Sequence, residues 1–100
     1  MAAKGGYIYI MSNKIRTVLY IGVCANLAER VFQHKNGTGS VFASKYKCVD
    51  LIYFEFFEGI EEAIQREKQL KKWSRAWKEN LIKSNNPKLI DLSNKIEDYN

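Results

Sequence analysis

The sequence predicts an α+β fold: a small three-stranded antiparallel sheet flanked by helices, in the order β-β-α-β-α-α. Two aromatic-rich runs, residues 7–11 and 19–23, alternate with a period of two, which is typical of strands. A third run, residues 50–57, is rich in aromatic residues, and helical periodicity separates and follows these runs. The 100 residues suit a single domain over 1–100, with its core in about 6–92 and a short C-terminal tail.

The first two strands predict a hairpin. If residues 12–17 form its loop, Met11 pairs near Val18, and Tyr9 lies opposite Tyr20. Because side chains alternate between the faces of a strand, this register sorts them into two sets. The face expected to form the core carries Ile8, Ile10, Leu19 and Ile21. The two tyrosines would then share the outward face with Gly22.

A helix is expected from about residue 27 to 36. Asn26 followed by Glu29 is typical of an N-cap with its capping partner, and Gly37 is a good C-terminal stop. The segment after it, "GTGSVFASKYKC", predicts a loop with at most one short turn before the third strand.

Four residues of that helix matter for chemistry or packing. Leu27 and Val31 predict its buried stripe, while Arg30 and His34, four positions apart, lie together at the edge of the stripe. A single histidine is more often a hydrogen-bonding group than a catalyst, so this pair alone does not establish a site.

From Ile60 the period becomes helical, predicting one helix over 60–72 and a second that begins after Ser74 as its cap. Pro87 closes this region. The tail has apolar residues but no clear pattern.

Glu67 occupies an unexpected position on the 60–72 helix. The apolar face of that helix consists of Ile60, Ala63, Ile64 and Leu70. Glu67 falls within this face, where an unpaired carboxylate would cost several kcal/mol. It therefore needs a partner, and two interpretations follow: an internal ion pair with Arg30 or a lysine, or a catalytic or metal-binding carboxylate.

Charge is distributed unevenly along the chain, whose net charge is +5. Residues 50–62 contain five acids and no base, whereas residues 66–88 contain eight bases and two acids. A basic segment that includes Trp73 and Trp77 suits a polyanion, because cations neutralise phosphates and rings stack on bases. The alternative is a solvated helix face with both tryptophans in the core.

Several other chemistries lack their motifs. One histidine and the distant Cys24 and Cys48 give no zinc-ligand spacing, and the cysteines predict small, partly buried thiols. No phosphate-binding glycine loop and no nucleophile elbow occur. No apolar run is long enough to span a membrane, and we expect a cytoplasmic protein without a membrane partner.

Taken together, the motifs resemble those of the GIY-YIG nuclease superfamily, and of its small stand-alone bacterial branch in particular. The matching pieces are "YIY" (7–9), "YIG" (20–22), the helix "NLAERVFQH" and a later helical glutamate. The likeness covers residues 6 to about 92. Tyr7 stands where the family has glycine, with Gly6 one place early.

The resemblance implies a metal-dependent endonuclease that hydrolyses phosphodiester bonds in DNA. Tyr9 and Tyr20 would be its paired tyrosines, Arg30 would stabilise the transition state, and His34 would be the polar residue one turn further on. Glu67 would be the single carboxylate that holds one Mg²⁺ or Mn²⁺. A tyrosine is favoured as the general base, with His34 as its rival.

The resemblance also implies substrate contacts. The expected substrate-binding residues are Lys45, Tyr46, Lys71, Lys72, Arg75 and Asn86. Asn80 and Asn85 compete with Asn86 for its role, and Arg66, Lys68 and Lys78 add candidate phosphate contacts. The substrate would be DNA, including branched or damaged DNA, with RNA left open. One site nicks one strand, so cutting both would need a dimer or a partner protein.

Two other functions stay open from the residues. A module of the same fold could bind nucleic acid without cutting it. A basic structural domain would use Glu67 only in an internal ion pair, which would leave the tyrosine pair and the spacing of Arg30 and His34 as coincidences.

Overall fold

The computed structural model describes the backbone of residues 5–99 and the side chains of residues 5–96. It contains three strands, four α-helices and a terminal 3₁₀ helix at Ser93–Tyr99. In chain order these are β1 (Gly6–Ser12), β2 (Leu19–Cys24), α1 (Leu27–Lys35), α2 (Val41–Lys45), β3 (Asp50–Phe57), α3 (Ile60–Lys71) and α4 (Arg75–Asn85). The α+β class and the three-stranded antiparallel sheet are confirmed.

The sheet has the order β2-β1-β3, with both neighbours antiparallel to β1. The predicted hairpin register is wrong by two residues, because Tyr9 pairs with Gly22 and Met11 pairs with Tyr20. The loop closes at Asn13, whose side-chain oxygen accepts from the backbone N–H groups of residues 17 and 18. A shift of two keeps every side chain on its predicted face.

Both faces of the sheet are covered, which corrects the expectation of one core face and one outward face. The isoleucine face packs against α3 and α4 around Ile8, Ile10 and Leu70. The tyrosine face packs against α1 and the terminal 3₁₀ helix, and Tyr9 is 0% exposed. Because β1 is the central strand and lies between two helical layers, all of its residues are buried.

Capping side chains set the starts of three helices. Asn26 accepts from the N–H of Glu29 at the start of α1. Ser40 does the same for α2, a five-residue helix in the segment for which the sequence predicted a loop with one turn. Ser74 begins α4 as predicted. These caps satisfy N–H groups that the helix itself leaves unpaired.

The segment after α4 lies along β3. Leu92 donates its N–H to the Leu51 carbonyl at 2.7 Å, and the Asp91 carboxylate accepts from the Leu51 N–H at 3.0 Å. The Asn86 side chain donates to the Ile52 carbonyl at 3.0 Å. The tail therefore covers the outer edge of β3 through hydrogen bonds to the backbone of that strand, which hydrophobic periodicity does not predict.

Candidate active site

A hydrogen-bonded pair of side chains lies beneath the tyrosine face of the sheet. The Tyr9 hydroxyl, from β1, is 2.9 Å from Nε2 of His34, from α1. Tyr9 is 0% and His34 is 2% exposed. Nδ1 of the same imidazole has no hydrogen-bond partner among the residues that the structure describes. The predicted histidine and the first predicted tyrosine are thus brought together in the interior.

Tyr20 differs from Tyr9 in its access to solvent. Its ring centroid lies 5.3 Å from that of His34 and 6.3 Å from that of Tyr9, so the second tyrosine sits on the buried pair. Tyr20 is half-buried and lines a shallow cavity of about 220 Å³. The cavity is formed by Leu19, Tyr20, Ile21, Phe42, Lys71 and Lys78. Of the predicted tyrosine pair, Tyr9 is therefore enclosed, whereas Tyr20 lines a cavity that is open to solvent.

Two glycines make room for the buried pair. A Cβ on Gly22 would lie 2.5 Å from Cζ of Tyr9, and a Cβ on Gly39 would lie 2.6 Å from Cε1 of His34. Real carbon atoms do not approach so closely without a shift of the backbone or the ring. The glycine of "YIG" is thus explained by the cross-strand position of the Tyr9 ring.

Arg30 lies one turn before His34 on α1 and is half-buried. Burial raises the pKa of Tyr9 far above its ordinary value, and the nearby Arg30 guanidinium opposes this rise only in part. Burial and the same guanidinium lower the pKa of His34. Arg30 therefore places a positive charge beside both members of the pair, and His34 is neutral at pH 7.

Glu67 has a partner on its own helix. One carboxylate oxygen lies 3.1 Å from Nζ of Lys71, with the side chains 17% and 54% exposed. The ion pair joins Glu67 to a lysine that lines the Tyr20 cavity. A lysine partner, one of the two kinds expected from the sequence, is thus present, and it lines the same cavity as Tyr20.

The donor set around Glu67 fits a cation that keeps most of its own waters. No group of three or more His, Cys, Asp or Glu side chains able to hold a metal occurs within the described residues. Mg²⁺ commonly binds through one or two carboxylates plus substrate phosphates. One carboxylate, mostly shielded and paired with a lysine that is 54% exposed, is compatible with that mode.

The expected substrate contacts divide into two groups. Lys45 and Tyr46 lie on exposed positions of α2 or at its end, close to Phe42, and Lys72 is exposed beside Trp73. Arg75, by contrast, donates to Glu79 and to the carbonyls of residues 16 and 17.

Asn86 is 4% exposed and uses its amide for backbone groups of residues 52 and 90. The polar side-chain atoms of Arg75 and Asn86 therefore already have partners inside the protein, and we do not propose these two residues as substrate contacts.

Phe42 was not singled out from the sequence, whereas Arg66 and the two tryptophans were. Phe42 stacks on Tyr20 with ring centroids 6.2 Å apart, and no pattern in the sequence indicates this contact. Arg66, a predicted phosphate contact, forms a bidentate ion pair with Glu55, in which Nε and Nη2 each donate to a carboxylate oxygen at 3.0 Å. Its guanidinium also lies over the Trp73 ring. Trp73 is half-buried and Trp77 is 60% exposed. The two tryptophans are therefore neither both core residues nor both exposed rings available for stacking.

Comparison with known proteins places these observations in a family. Residues 5–80 match the profile described as the GIY-YIG catalytic domain. A UPF0213 protein of Clostridium perfringens is 42% identical over 78 residues, which cover 78% of this chain and 83% of that protein. A UPF0213 protein of Natronomonas pharaonis is 37% identical, covering 80% and 93%.

A UPF0213 protein of Pediococcus pentosaceus is 35% identical, covering 89% of this chain and 93% of that protein. No solved structure matches significantly. Within residues 5–99, no helix is long and apolar enough to cross a membrane. The match over three quarters of the chain, and the meeting of "YIY", "YIG" and the α1 histidine in one site, lead to one conclusion: the chain belongs to the GIY-YIG family.

Proposed function

We propose that this protein is a metal-dependent endonuclease that hydrolyses phosphodiester bonds in DNA. One observation carries the proposal: Tyr20 rests on the buried Tyr9 and His34 pair and faces a cavity edged by Lys71, the partner of Glu67. A candidate base and a positive charge thus line one accessible space, and a carboxylate is joined to it through the Lys71 ion pair, a set of groups that suits the hydrolysis of a charged diester.

The accessible tyrosine is assigned the role of base. A general base must come within hydrogen-bond reach of the water whose proton it accepts. The buried Tyr9 hydroxyl has no such access, and His34 is equally enclosed. As a phenolate, Tyr20 would accept a proton from the water that attacks the phosphorus, while the bond from phosphorus to the 3′ oxygen breaks. Tyr9 and His34 act by positioning the Tyr20 ring from below.

Arg30 and Glu67 complete the proposed machinery. The guanidinium of Arg30 is always charged and would stabilise the negative charge that grows on the phosphate oxygens. Glu67 would hold one Mg²⁺ or Mn²⁺, after Lys71 moves aside. Such an ion, when bound, supplies Lewis-acid stabilisation of the phosphate and of the leaving 3′ oxygen.

Cleavage of supercoiled plasmid tests the proposal. With Mg²⁺ or Mn²⁺, the wild type should produce nicked circles, and Glu67→Ala and Arg30→Ala should lower the rate by about 100-fold or more. Glu61→Ala, an exposed carboxylate on the same helix, is the matched control and should retain activity. Undiminished cleavage by Glu67→Ala would point to a contaminating nuclease and refute the assignment of Glu67.

The choice between tyrosines is tested in the same assay. Tyr20→Phe removes the proposed base. It should lower the cleavage rate more strongly than Tyr9→Phe, which removes only the hydrogen bond to His34 that helps to position the Tyr20 ring. Equal rates for wild type and Tyr20→Phe would transfer the role of base to another group.

One observation favours a second candidate, a module that binds nucleic acid without cutting. The Glu67 carboxylate is already neutralised by Lys71 at 3.1 Å, a pair that is self-sufficient without any ion. A wild type that binds DNA tightly but never nicks any of the plasmid, branched DNA or RNA substrates, with either metal ion, would establish this alternative.

A further inference from the structure

The helix α2 carries a row of exposed aromatic rings next to the site. Phe42 and Tyr46, four positions apart, are 47% and 41% exposed, and their ring centroids are 4.8 Å apart. On the other side, Phe42 stacks on Tyr20 with planes 26° apart. Three rings therefore form a continuous aromatic surface, the α2 platform, that begins at the proposed base and leads away from it.

Residues other than Phe42 and Tyr46 hold α2 in place. Ser40 caps α2, and Ala43, on its inner face, is 2% exposed. The Ala43 carbonyl accepts from the N–H of Cys48, which fixes the end of the helix. Since Ala43 supplies the buried contact, the two exposed rings are not required to anchor α2. Large apolar groups that stay exposed side by side commonly mark a binding surface.

The charge around the platform is positive. Residues 30–49 contain four Lys or Arg residues and no acidic residue. Nζ of Lys45 lies 5.4 Å from the centre of the Tyr46 ring, and Lys71 and Lys78 line the cavity that Phe42 shares with Tyr20. Exposed aromatic faces beside flexible cations suit a ligand that offers both flat rings and phosphates.

We propose that the α2 platform stacks an unpaired nucleobase next to the phosphate that is cut. The inference rests on the proposed function and adds its substrate class: a nucleic acid strand that is single-stranded at the platform. In an intact duplex both faces of each base are covered by its neighbours, so a ring of Phe42 or Tyr46 can reach a base only where the strand is open.

Binding without cleavage tests this inference separately from catalysis. Fluorescence anisotropy is measured in EDTA with a labelled single strand of roughly 12 nucleotides and with the corresponding blunt duplex. The wild type should prefer the single strand, and Phe42→Ala and Tyr46→Ala should weaken that binding by roughly 5- to 100-fold. Phe32→Ala removes a ring that is 68% exposed on α1 and should bind like the wild type.

Abasic oligonucleotides test the contact without altering the protein. Removal of one base at a time should weaken binding at one or two positions by a factor similar to that of Phe42→Ala. At those positions the abasic site and Phe42→Ala should together weaken binding no more than either alone, because both remove the same stacking contact. Fully additive losses at every position would overturn the proposal.

Three results would refute the platform. First, Phe42→Ala could bind the single strand as tightly as the wild type does. Second, the substitution could weaken binding to the single strand and to the blunt duplex by the same factor. Third, sedimentation could show that Phe42→Ala changes the oligomeric state. The last result would assign the face to contact with a second copy. If the plasmid is cut normally in these cases, the proposed nuclease function stands and only the stacking role fails.

Discussion

The Tyr9 hydroxyl and Nε2 of His34 lie 2.9 Å apart, and both side chains are closed off from solvent. Throughout the part of the chain that the structure describes, this is the imidazole's one hydrogen bond, since its Nδ1 is buried without a partner. The imidazole therefore depends on Tyr9 for its hydrogen bond, whereas the Tyr9 hydroxyl also interacts with Arg30, and the Tyr20 ring lies against the imidazole.

Removal of the Tyr9 hydroxyl should destabilise the protein. Tyr9→Phe leaves Nε2 of His34 buried without a partner, and we expect a loss of about 1–3 kcal/mol in the free energy of unfolding. Urea denaturation measures the loss. The control Tyr46→Phe removes an exposed hydroxyl and should change stability by less than about 0.5 kcal/mol. A Tyr9→Phe variant as stable as the control would contradict the dependence of His34 on the Tyr9 hydroxyl.

Because the pKa of His34 is lowered, by burial first and then by Arg30, its effect on stability depends on pH. The unfolded chain binds a proton near pH 6.5 that the folded chain does not, so stability falls as the pH falls through 6.5. The slope for this one group is at most about 1.4 kcal/mol per pH unit. Compared with His34→Gln, the wild type should lose more stability between pH 7.5 and 5.5. Parallel curves for the two proteins would argue against a neutral, buried imidazole.

The "YIG" glycine should resist substitution for a steric reason. A Cβ at Gly22 would overlap the Tyr9 ring, and we expect Gly22→Ala to cost about 1–3 kcal/mol of stability. Gly59→Ser is the control, because a Cβ there is 3.6 Å from its nearest neighbour and serine is favoured at a helix N-cap. Thermal unfolding that is equal in the two variants would show that the sheet adjusts without cost.

Asp91 should stabilise the fold above acidic pH. Burial raises the pKa of its carboxyl, but hydrogen bonds from Ser93, Lys35 and the Leu51 N–H outweigh burial and lower it to about 2. A carboxyl with a lowered pKa stabilises the folded state above its unfolded pKa, near 3.8, and loses this effect as the pH falls towards 2.

We expect Asp91→Asn to cost about 1–2 kcal/mol at pH 7, after allowance for its partial exposure, and nearly nothing near pH 2. Chemical denaturation across this pH range measures the difference. Glu61→Gln, at an exposed position, is the control and should show little effect. A deficit of Asp91→Asn that does not change with pH would exclude an ionic contribution.

The salt dependence of DNA binding should separate free cations from structural ones. Each phosphate contact contributes about one to the slope of log affinity against log salt. Lys78→Ala, which alters the Tyr20 cavity, should lower the slope by about one. Arg66→Ala should leave the slope unchanged and lower stability, because its guanidinium is engaged by Glu55 and Trp73. The reverse pattern would mean that Arg66 leaves Glu55 to bind phosphate.

Much of the fold could be predicted because its elements follow local patterns. The third strand begins and ends where predicted, at residues 50 and 57, and α1 ends within one residue of its predicted end. The short helix α2 was expected to be no more than a turn, since five residues give too little periodicity to separate a helix from a turn. The tail likewise lacks a periodic pattern, because one backbone and one side-chain hydrogen bond to Leu51, rather than an apolar face, hold it against β3.

The candidate site could be predicted in its members but not in its arrangement. The sequence indicates Tyr9, Tyr20, Arg30, His34 and Glu67 as a set. Which tyrosine is accessible depends on a second packed layer that no single strand encodes. The roles of these residues remain proposals, and the cleavage and binding experiments decide them.

By itself the sequence determined the three strands, the helices α1, α3 and α4, and the two faces of each strand, because alternation and helical periodicity arise from neighbours along the chain. Tertiary structure alone decided the hairpin register, the burial of Tyr9 against His34, and the choice of Lys71 as the partner of Glu67. The physical reason is that these contacts depend on how loops close and how helices pack on both faces of the sheet. "YIG" therefore places Gly22 beside Tyr9 only once the two strands are paired.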